Sequence, residues 1–259
     1  MANIKYDFVC NVVVITGAST GIGRRIAELF IKANSVVYIT SLSLVEIEKT
    51  IQEIRKKYPN NIIYGMVLDV NRTSTIKTVI GHAIRNHGAI DIWVNNAGYL
   101  KQEPFKDISI KEYHKHIDIN QTGVWNCCKA ILPVMKRQGS GRVINVSSIG
   151  GQIGGSLAPH YSMAKAAIIS LTKSLARIYS PLGNEYGLTV NAVAPNLVST
   201  NMTKEIIENL DEETIREKIP TGHIANTKDI ANAVAFLASY EARQFTGQVL
   251  NPNGGSYMP

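Results

Sequence analysis

The stretch "NVVVITGASTGIGRRIAELFIKA" (residues 11–33) changes character once, and that change decides the fold. It opens as a β-branched run of strand length, and from Thr20 onward its apolar residues recur at helical spacing. Between the two lies "TGASTGIG" (16–23), with Gly17, Gly21 and Gly23. Glycines in a strand-to-helix turn permit a tight bend and let a diphosphate approach backbone N–H groups at the positive end of a helix. The strand-to-helix setting favours a nucleotide site; the alternative is a plain glycine turn with nothing bound. A P-loop is excluded, because no Gly-Lys-Ser/Thr closes the motif.

The alternation continues along the chain. Strand-like runs fall at 35–41, 61–70, 89–98, 141–148, 187–195 and 247–255, and helical patterns at 44–58, 73–87, 110–137, 159–180, 201–218 and 227–239. In the helix at 44–58, Val45, Ile47, Ile51 and Ile54 are expected to share an apolar stripe. Nearly continuous Val/Ile strands separated by helices predict a parallel sheet covered on both faces. The reading is α/β: a single doubly wound domain over 1–259 with a mostly seven-stranded sheet. The polar stretch 197–222 leaves the sixth strand at the ligand edge and is expected to form a lid.

Composition narrows the classes. No apolar run approaches the roughly 18 residues that cross a bilayer, and the first 17 residues have no signal-peptide pattern. Three cysteines, two of them adjacent at Cys127 and Cys128, give neither a disulfide framework nor metal-ligand spacing. A reducing, cytoplasmic setting without membrane or metal is expected. The net charge of +7 favours anionic ligands, but the basic residues are dispersed and no aromatic-basic platform suggests nucleic acid.

The stretch "PHYSMAKAAI" (159–168) places Tyr161 and Lys165 four residues apart on one helical face. A phenol titrates near about 10, and a neighbouring cation lowers that value. The pair is thus expected to exchange a proton near neutrality. Taken alone, the pair reads first as a packed ring beside a surface lysine, since both residue types are common on helices.

The dinucleotide type is set about 20 residues past the glycines, where an Asp or Glu commonly bonds the ribose 2′-hydroxyl. Here the strand ends "ITSLS" (39–43), and the first carboxylate, Glu46, already lies in the next helix. Ser41 and Ser43 can donate to a 2′-phosphate. Thr20 and Leu42 bring no cation, and Arg24 and Arg25 are the candidate substitutes. NADP(H) is favoured, with NAD(H) left open.

Taken in order, "TGASTGIG", "LDV" with Asp69, "NNAG" (95–98), Asn120 in "DINQTGV", Ser148, "YSMAK" and "VNAVAP" (190–195) resemble the short-chain dehydrogenase/reductase family over the whole length. Ser148 precedes Tyr161 by 13 residues, the family's usual interval. Within the family the chain looks most like 3-oxoacyl-carrier-protein reductases. The resemblance implies a Rossmann fold and a ketone/alcohol oxidoreductase in which the nicotinamide carries hydride. It implies Tyr161 as proton donor, Lys165 as its tuner, Ser148 as holder of the substrate oxygen, and Asn120 as a link to a water relay. Cofactor contacts are implied for Gly17, Ser19, Thr20, Gly21, Ile22, Gly23, Ser41, Ser43, Asp69, Val70, Asn96, Ala97, Gly98, Tyr161, Lys165, Pro195, Val198 and Thr200, and Asn95 is placed beside the cofactor. It further implies a homotetramer built through the helices at 110–137 and 159–180. The implied substrate is a small carbonyl or alcohol, free or carrier-bound. A sugar, polyol or small secondary alcohol is the alternative, and a non-catalytic nucleotide sensor is the rival of another class.

The chain departs from the family in three places. Asn196 stands where relatives have glycine, and is expected to keep that turn by tolerating left-handed backbone. The connection "SPLGNEYGLTV" (180–190) is long, and Pro181 and Leu182 occupy the region of one carrier-docking arginine, while Arg137 matches the other. His160, beside the tyrosine, is expected to line the substrate site or face solvent.

Overall fold

A computed structural model describes residues 5–180 and 187–259; the readings of Pro181, Leu182 and most of the long connection lie outside the described residues. Strands β1 (Val12–Ile15), β2 (Val36–Ser41), β3 (Ile63–Val67), β4 (Ile92–Asn95), β5 (Gly141–Val146), β6 (Leu188–Val193) and β7 (Val249–Leu250) pair in parallel in the order β3-β2-β1-β4-β5-β6-β7. The order reverses direction between β1 and β4, which opens a crevice at the strands' C-terminal ends. This is the expected α/β Rossmann architecture.

Alternation along the strands sorts the core into two layers. Val13, Ile15, Val37, Ile39, Val94 and Ile144 face one side, against α1 (Gly21–Lys32), α2 (Leu44–Lys57) and α10 (Thr227–Ala238). Val12, Val14, Tyr38, Trp93, Val143 and Val190 face the other, against α3 (Thr73–His87), α5 (Gly123–Gln138) and α7 (Pro159–Tyr179). The remaining helices are α4 (Ile110–Ile117), α6 (Gly150–Ile153), α8 (Lys204–Glu208) and α9 (Glu212–Lys218). Among the described residues, no helix is long and apolar enough to cross a membrane.

Two expectations needed correction, and the segment after β5 adds a helix. The helix read over 110–137 is broken into α4 and α5 by a π turn at Asp118–Thr122. The glycine-rich segment after β5 contains the short helix α6. There Ser148 Oγ accepts the Gly150 N–H at 3.1 Å, and a Cβ on Gly151 would come within 2.6 Å of the Lys165 carbonyl carbon. The segment therefore rests directly on the backbone of α7. Finally, Val45 is not on the stripe of α2: it is 75% exposed, whereas Ile47, Ile51 and Ile54 are buried. Two residues turn a helix by about 200°, so Val45 and Ile47 point to opposite sides. Ile47→Ala should accordingly cost about 2–4 kcal/mol in urea unfolding, and Val45→Ala less than about 0.5 kcal/mol. Equal losses would contradict this packing.

Candidate active site

The C-terminal ends of β1, β4, β5 and β6 deliver the sequence candidates to one crevice. After β1 the chain turns at Gly17, with φ of +63°, and enters α1. A Cβ on Gly17 would sit 2.8 Å from Ala97 Cα, and one on Gly23 would collide with the Gly17 carbonyl oxygen and Asn96 Nδ2. Asn96 Nδ2 donates to the carbonyls of Thr16 and Gly17, both at 2.9 Å. Thr16 Oγ1 accepts the N–H groups of Asn96 and Ala97 at 3.0 Å. This stitching, which sequence reasoning missed at Thr16, fixes the glycine turn against the end of β4. Thr20, the N-cap of α1, makes no side-chain cap, and the first turn, with Gly21 and Ile22, holds no acidic residue. The positive helix end is thus left without an internal anion, a cradle suited to the diphosphate of a dinucleotide. Thr200 reaches the same turn: a Cβ on Gly21 would lie 3.6 Å from its Cγ2. The buried Pro195 accepts the Ile149 N–H at 2.8 Å, and Val198 bridges to Ala225.

Beyond β5, Ser147 and Ser148 meet α7. Ser147 Oγ, also unforeseen, donates to the Lys165 carbonyl at 2.8 Å. Ser148 is hydrogen-bonded to the Tyr161 hydroxyl. Lys165 is 3% exposed; its Nζ donates to the Val146 carbonyl at 2.8 Å and stands 5.5 Å from the centroid of the Tyr161 ring. Gly98 makes room for this group: a Cβ there would lie 3.1 Å from Asn120 Oδ1 and 3.7 Å from Lys165 Nζ. The structure therefore brings Ser148, Tyr161, Lys165, Asn120 and Gly98 together.

The electrostatics differ from the sequence expectation. Lys165 does not hold the phenol down; burial pushes Tyr161 up to about 12, and the Ser148 hydrogen bond offsets this only in part. Burial in turn pulls Lys165 down to about 8. For both groups, loss of water outweighs the attraction of any charge among the described residues.

Several side chains have duties other than those expected. Asn120, fully buried in the π turn, commits its amide to local backbone: Oδ1 accepts from Tyr99 N–H at 3.1 Å, and Nδ2 donates to the carbonyls of Tyr99 and His116 at 2.8 and 3.1 Å. Asn95 does not face the crevice. It is 2% exposed and hydrogen-bonds Trp93 Nε1, Asn145 Oδ1 and Cys128 Sγ inside the core. Burial raises the thiols of Cys127 and Cys128 there, which keeps them protonated. Asp69 forms a turn, accepting the Asn71 N–H at 2.9 Å and pairing with Arg72 at 3.4 Å, while the carbonyl of the adjacent Val70 accepts from Asn126. Asn196 does not adopt left-handed backbone; its Nδ2 ties the chain to Ser256 Oγ at 2.8 Å instead. His160 does not face solvent: it is 3% exposed, and its ring lies against that of buried His116, centroids 3.6 Å apart and planes tilted by 39°. Burial first, then His116, lowers its pKa. Ser41 lies 3.1 Å from Ser19 Oγ, whereas Ser43 caps α2 by accepting the Glu46 N–H at 3.3 Å. Arg24 and Arg25, the candidate phosphate clamps, are held by carboxylates: Arg24 by Glu28 and Glu53, Arg25 by Glu28.

The Lys165 shift has a testable sign. Between its folded value of about 8 and its ordinary value near 10.5, the unfolded chain keeps a proton that the folded protein has released. Stability contributed by this group therefore rises with pH across that window, and below it the folded protein carries the full cost of a buried cation. Lys165→Met should make the ligand-free protein about 1–3 kcal/mol more stable at pH 7, with the advantage shrinking towards pH 10. Urea midpoints at the two pH values check this, and a variant less stable at pH 7 would contradict it.

Comparison with known proteins agrees with this geometry. A family model described as enoyl-(acyl carrier protein) reductase matches residues 17–256. The chain is 37% identical over 246 residues to a 3-oxoacyl-(acyl-carrier-protein) reductase FabG of Staphylococcus epidermidis, covering 95% of this chain and 98% of that protein. It is 37% identical over 247 residues to the FabG of Vibrio cholerae, covering 95% and 97%. Among solved structures, a Brucella melitensis short-chain dehydrogenase/reductase named as a glucose/ribitol dehydrogenase gives a TM-score of 0.88 at 29% identity, over 99% of this chain and 100% of that one. A putative gluconate dehydrogenase of Agrobacterium tumefaciens gives 0.90 at 23% identity, over 98% of each, and speaks to the fold alone. On the ordered motifs, the sheet and these likenesses, the chain belongs to the short-chain dehydrogenase/reductase family and is an oxidoreductase of ketones and alcohols.

Proposed function

We propose that the protein reduces the ketone of a 3-oxoacyl group, free or carrier-borne, to a secondary alcohol, with Tyr161 as the proton donor. The observation that carries this reading is the meeting of Ser148, Tyr161 and Lys165 beside the glycine turn. The bound dihydronicotinamide supplies the hydride. Gly17, Ser19, Thr20, Gly21, Ile22 and Gly23 would hold the diphosphate end of the dinucleotide, Asp69 and Val70 its adenine, Asn96, Ala97 and Gly98 its middle, and Pro195, Val198 and Thr200 its nicotinamide side.

Ser148 Oγ would hold the carbonyl oxygen and stabilise the charge that develops on it. Tyr161 then gives its hydroxyl proton to that oxygen. A phenol held near 12 is protonated at neutral pH, as a donor must be, whereas a base acting on an alcohol needs the opposite shift. The Lys165 ammonium, 5.5 Å from the centroid of the Tyr161 ring, would stabilise the phenolate left behind. Asn120, by holding Tyr99, would keep open the water route that returns the proton.

The segment after Ser148 exposes Ile153 and Leu157, and the proposed lid, 197–222, exposes Met202. Apolar side chains there suit an acyl chain, and a polyol would ask for hydrogen-bonding partners in their place. Assembly as a tetramer belongs to the same proposal and is supported by exposed Trp125 on α5 and by Met163 and Ile178 on α7. So does a cytoplasmic setting, supported by three free cysteines.

A panel of 3-oxoacyl thioesters, ketoses and polyols, assayed with each nicotinamide dinucleotide, tests the substrate class. Thioester reduction with no turnover of polyols is expected; dinucleotide binding without turnover of any carbonyl would support the sensor instead. Tyr161→Phe should lower kcat by about 10³-fold with dinucleotide affinity changed by less than about threefold. Retained turnover would contradict the assigned proton donor.

A further inference from the structure

We infer that Glu46 selects the dinucleotide, its carboxylate accepting a ribose 2′-hydroxyl and turning away a 2′-phosphate, so that the protein prefers NAD(H) to NADP(H). This rests on the dinucleotide reading above and reverses the preference that Ser41 and Ser43 suggest in the sequence.

By sequence distance Glu46 looks misplaced, since it lies inside α2 rather than at the end of β2. The fold removes that distance. Ser43 caps α2 by accepting the Glu46 N–H at 3.3 Å, so Glu46 stands in the helix's first turn, directly above the glycine loop. Its Oε2 accepts from Ser19 Oγ at 3.1 Å, and Ser19 Oγ lies the same distance from Ser41 Oγ. One turn further along, Thr50 Oγ1 donates to the Ser19 carbonyl at 2.7 Å in a buried bond. Glu46 and Thr50, four residues apart and so on one face of α2, thus grip the side chain and the backbone of the same serine. The result puts a carboxylate between the glycine loop and the last residue of β2, where a dinucleotide fold receives the adenosine ribose.

The charges around this place favour a hydroxyl over a phosphate. A 2′-hydroxyl can donate to Glu46 and accept from Ser41. A 2′-phosphate carries close to two negative charges, can only accept near neutral pH, and would face the carboxylate. The cations that might offset this are engaged: Arg24 pairs with Glu53 at 2.8 Å and Glu28 at 3.2 Å, and Arg25 pairs with Glu28 at 2.9 Å. Thr20 in the loop and Leu42 after β2 are uncharged. Ser43 has its oxygen engaged as the helix cap.

Binding separates this claim from turnover. Titrating the full chain with NADH and with NADPH, followed by reduced-nicotinamide fluorescence, should give a Kd for NADPH at least about tenfold the weaker. Glu46→Gln should tighten NADPH about tenfold and move NADH by less than about threefold. The cap uses the Glu46 backbone, so α2 survives the change, and a far-UV spectrum checks this. Because Glu46 is exposed, raising salt from about 0.05 to 0.5 M should narrow the gap in the wild type and leave it unchanged in the variant. Equal affinities in the wild type, tighter NADPH, or a ratio unmoved by Glu46→Gln would each overturn the role of Glu46 alone. If the wild type bound neither dinucleotide, the dinucleotide reading itself would fail, and this inference with it.

Discussion

Lys165 carries an ammonium into a place where 3% of the residue's surface is exposed, and the crevice is arranged around that fact. Burying a cation without a carboxylate is expensive, and its partner here is a neutral dipole, the Val146 carbonyl at the end of β5. That bond sets the ammonium at the sheet edge. Gly98 keeps the space in front of it clear, and the Ser147 hydroxyl clamps the Lys165 carbonyl from below. The same helix face presents Tyr161 to Ser148, and Gly151 lets the segment after Ser148 lie against the α7 backbone. The buried lysine thus has the Tyr161 ring, the end of β5 and the Gly98 turn as its neighbours.

The ligand-free site is strained electrostatically in two opposite directions, the phenol held up and the amine held down. Both shifts come from loss of water rather than from each other. An ammonium brought to the phenol oxygen would favour the phenolate and its own charged form alike, opposing both shifts. It is reached in a protein whose folded state bears the cost continuously, which is a common price of function.

Much of this was legible in the sequence. β-Branched runs and a 3.6-residue period located the seven strands and the main helices, because burial on both faces of a parallel sheet leaves a pattern that needs no partner to interpret. The catalytic candidates were found for a related reason: glycine turns and the Tyr161–Lys165 interval are local. What stayed hidden depends on contacts between distant segments. The π turn around Asn120 is stabilised by Tyr99, and the tilted His116–His160 ring contact joins α4 to α7; neither leaves a periodic trace. Asn95 read as a crevice residue because its neighbours Asn96 and Ala97 are, yet alternation along β4 turns its side chain into the core towards Trp93 and Asn145. Val45 joined an apparent stripe only because apolar letters were counted without their angles. Glu46 was set aside on sequence distance, although a capped first turn brings it back over Ser19.

The central claim is that desolvation, and not pairing with a charge, governs Lys165 before ligands arrive. Its side-chain nitrogen can be followed directly by heteronuclear NMR in selectively labelled ligand-free protein, with Lys165→Met assigning the signal. A titration midpoint near 8, well apart from the other lysines, is the result predicted. A midpoint at or above about 10.4, the ordinary lysine value, would contradict the account.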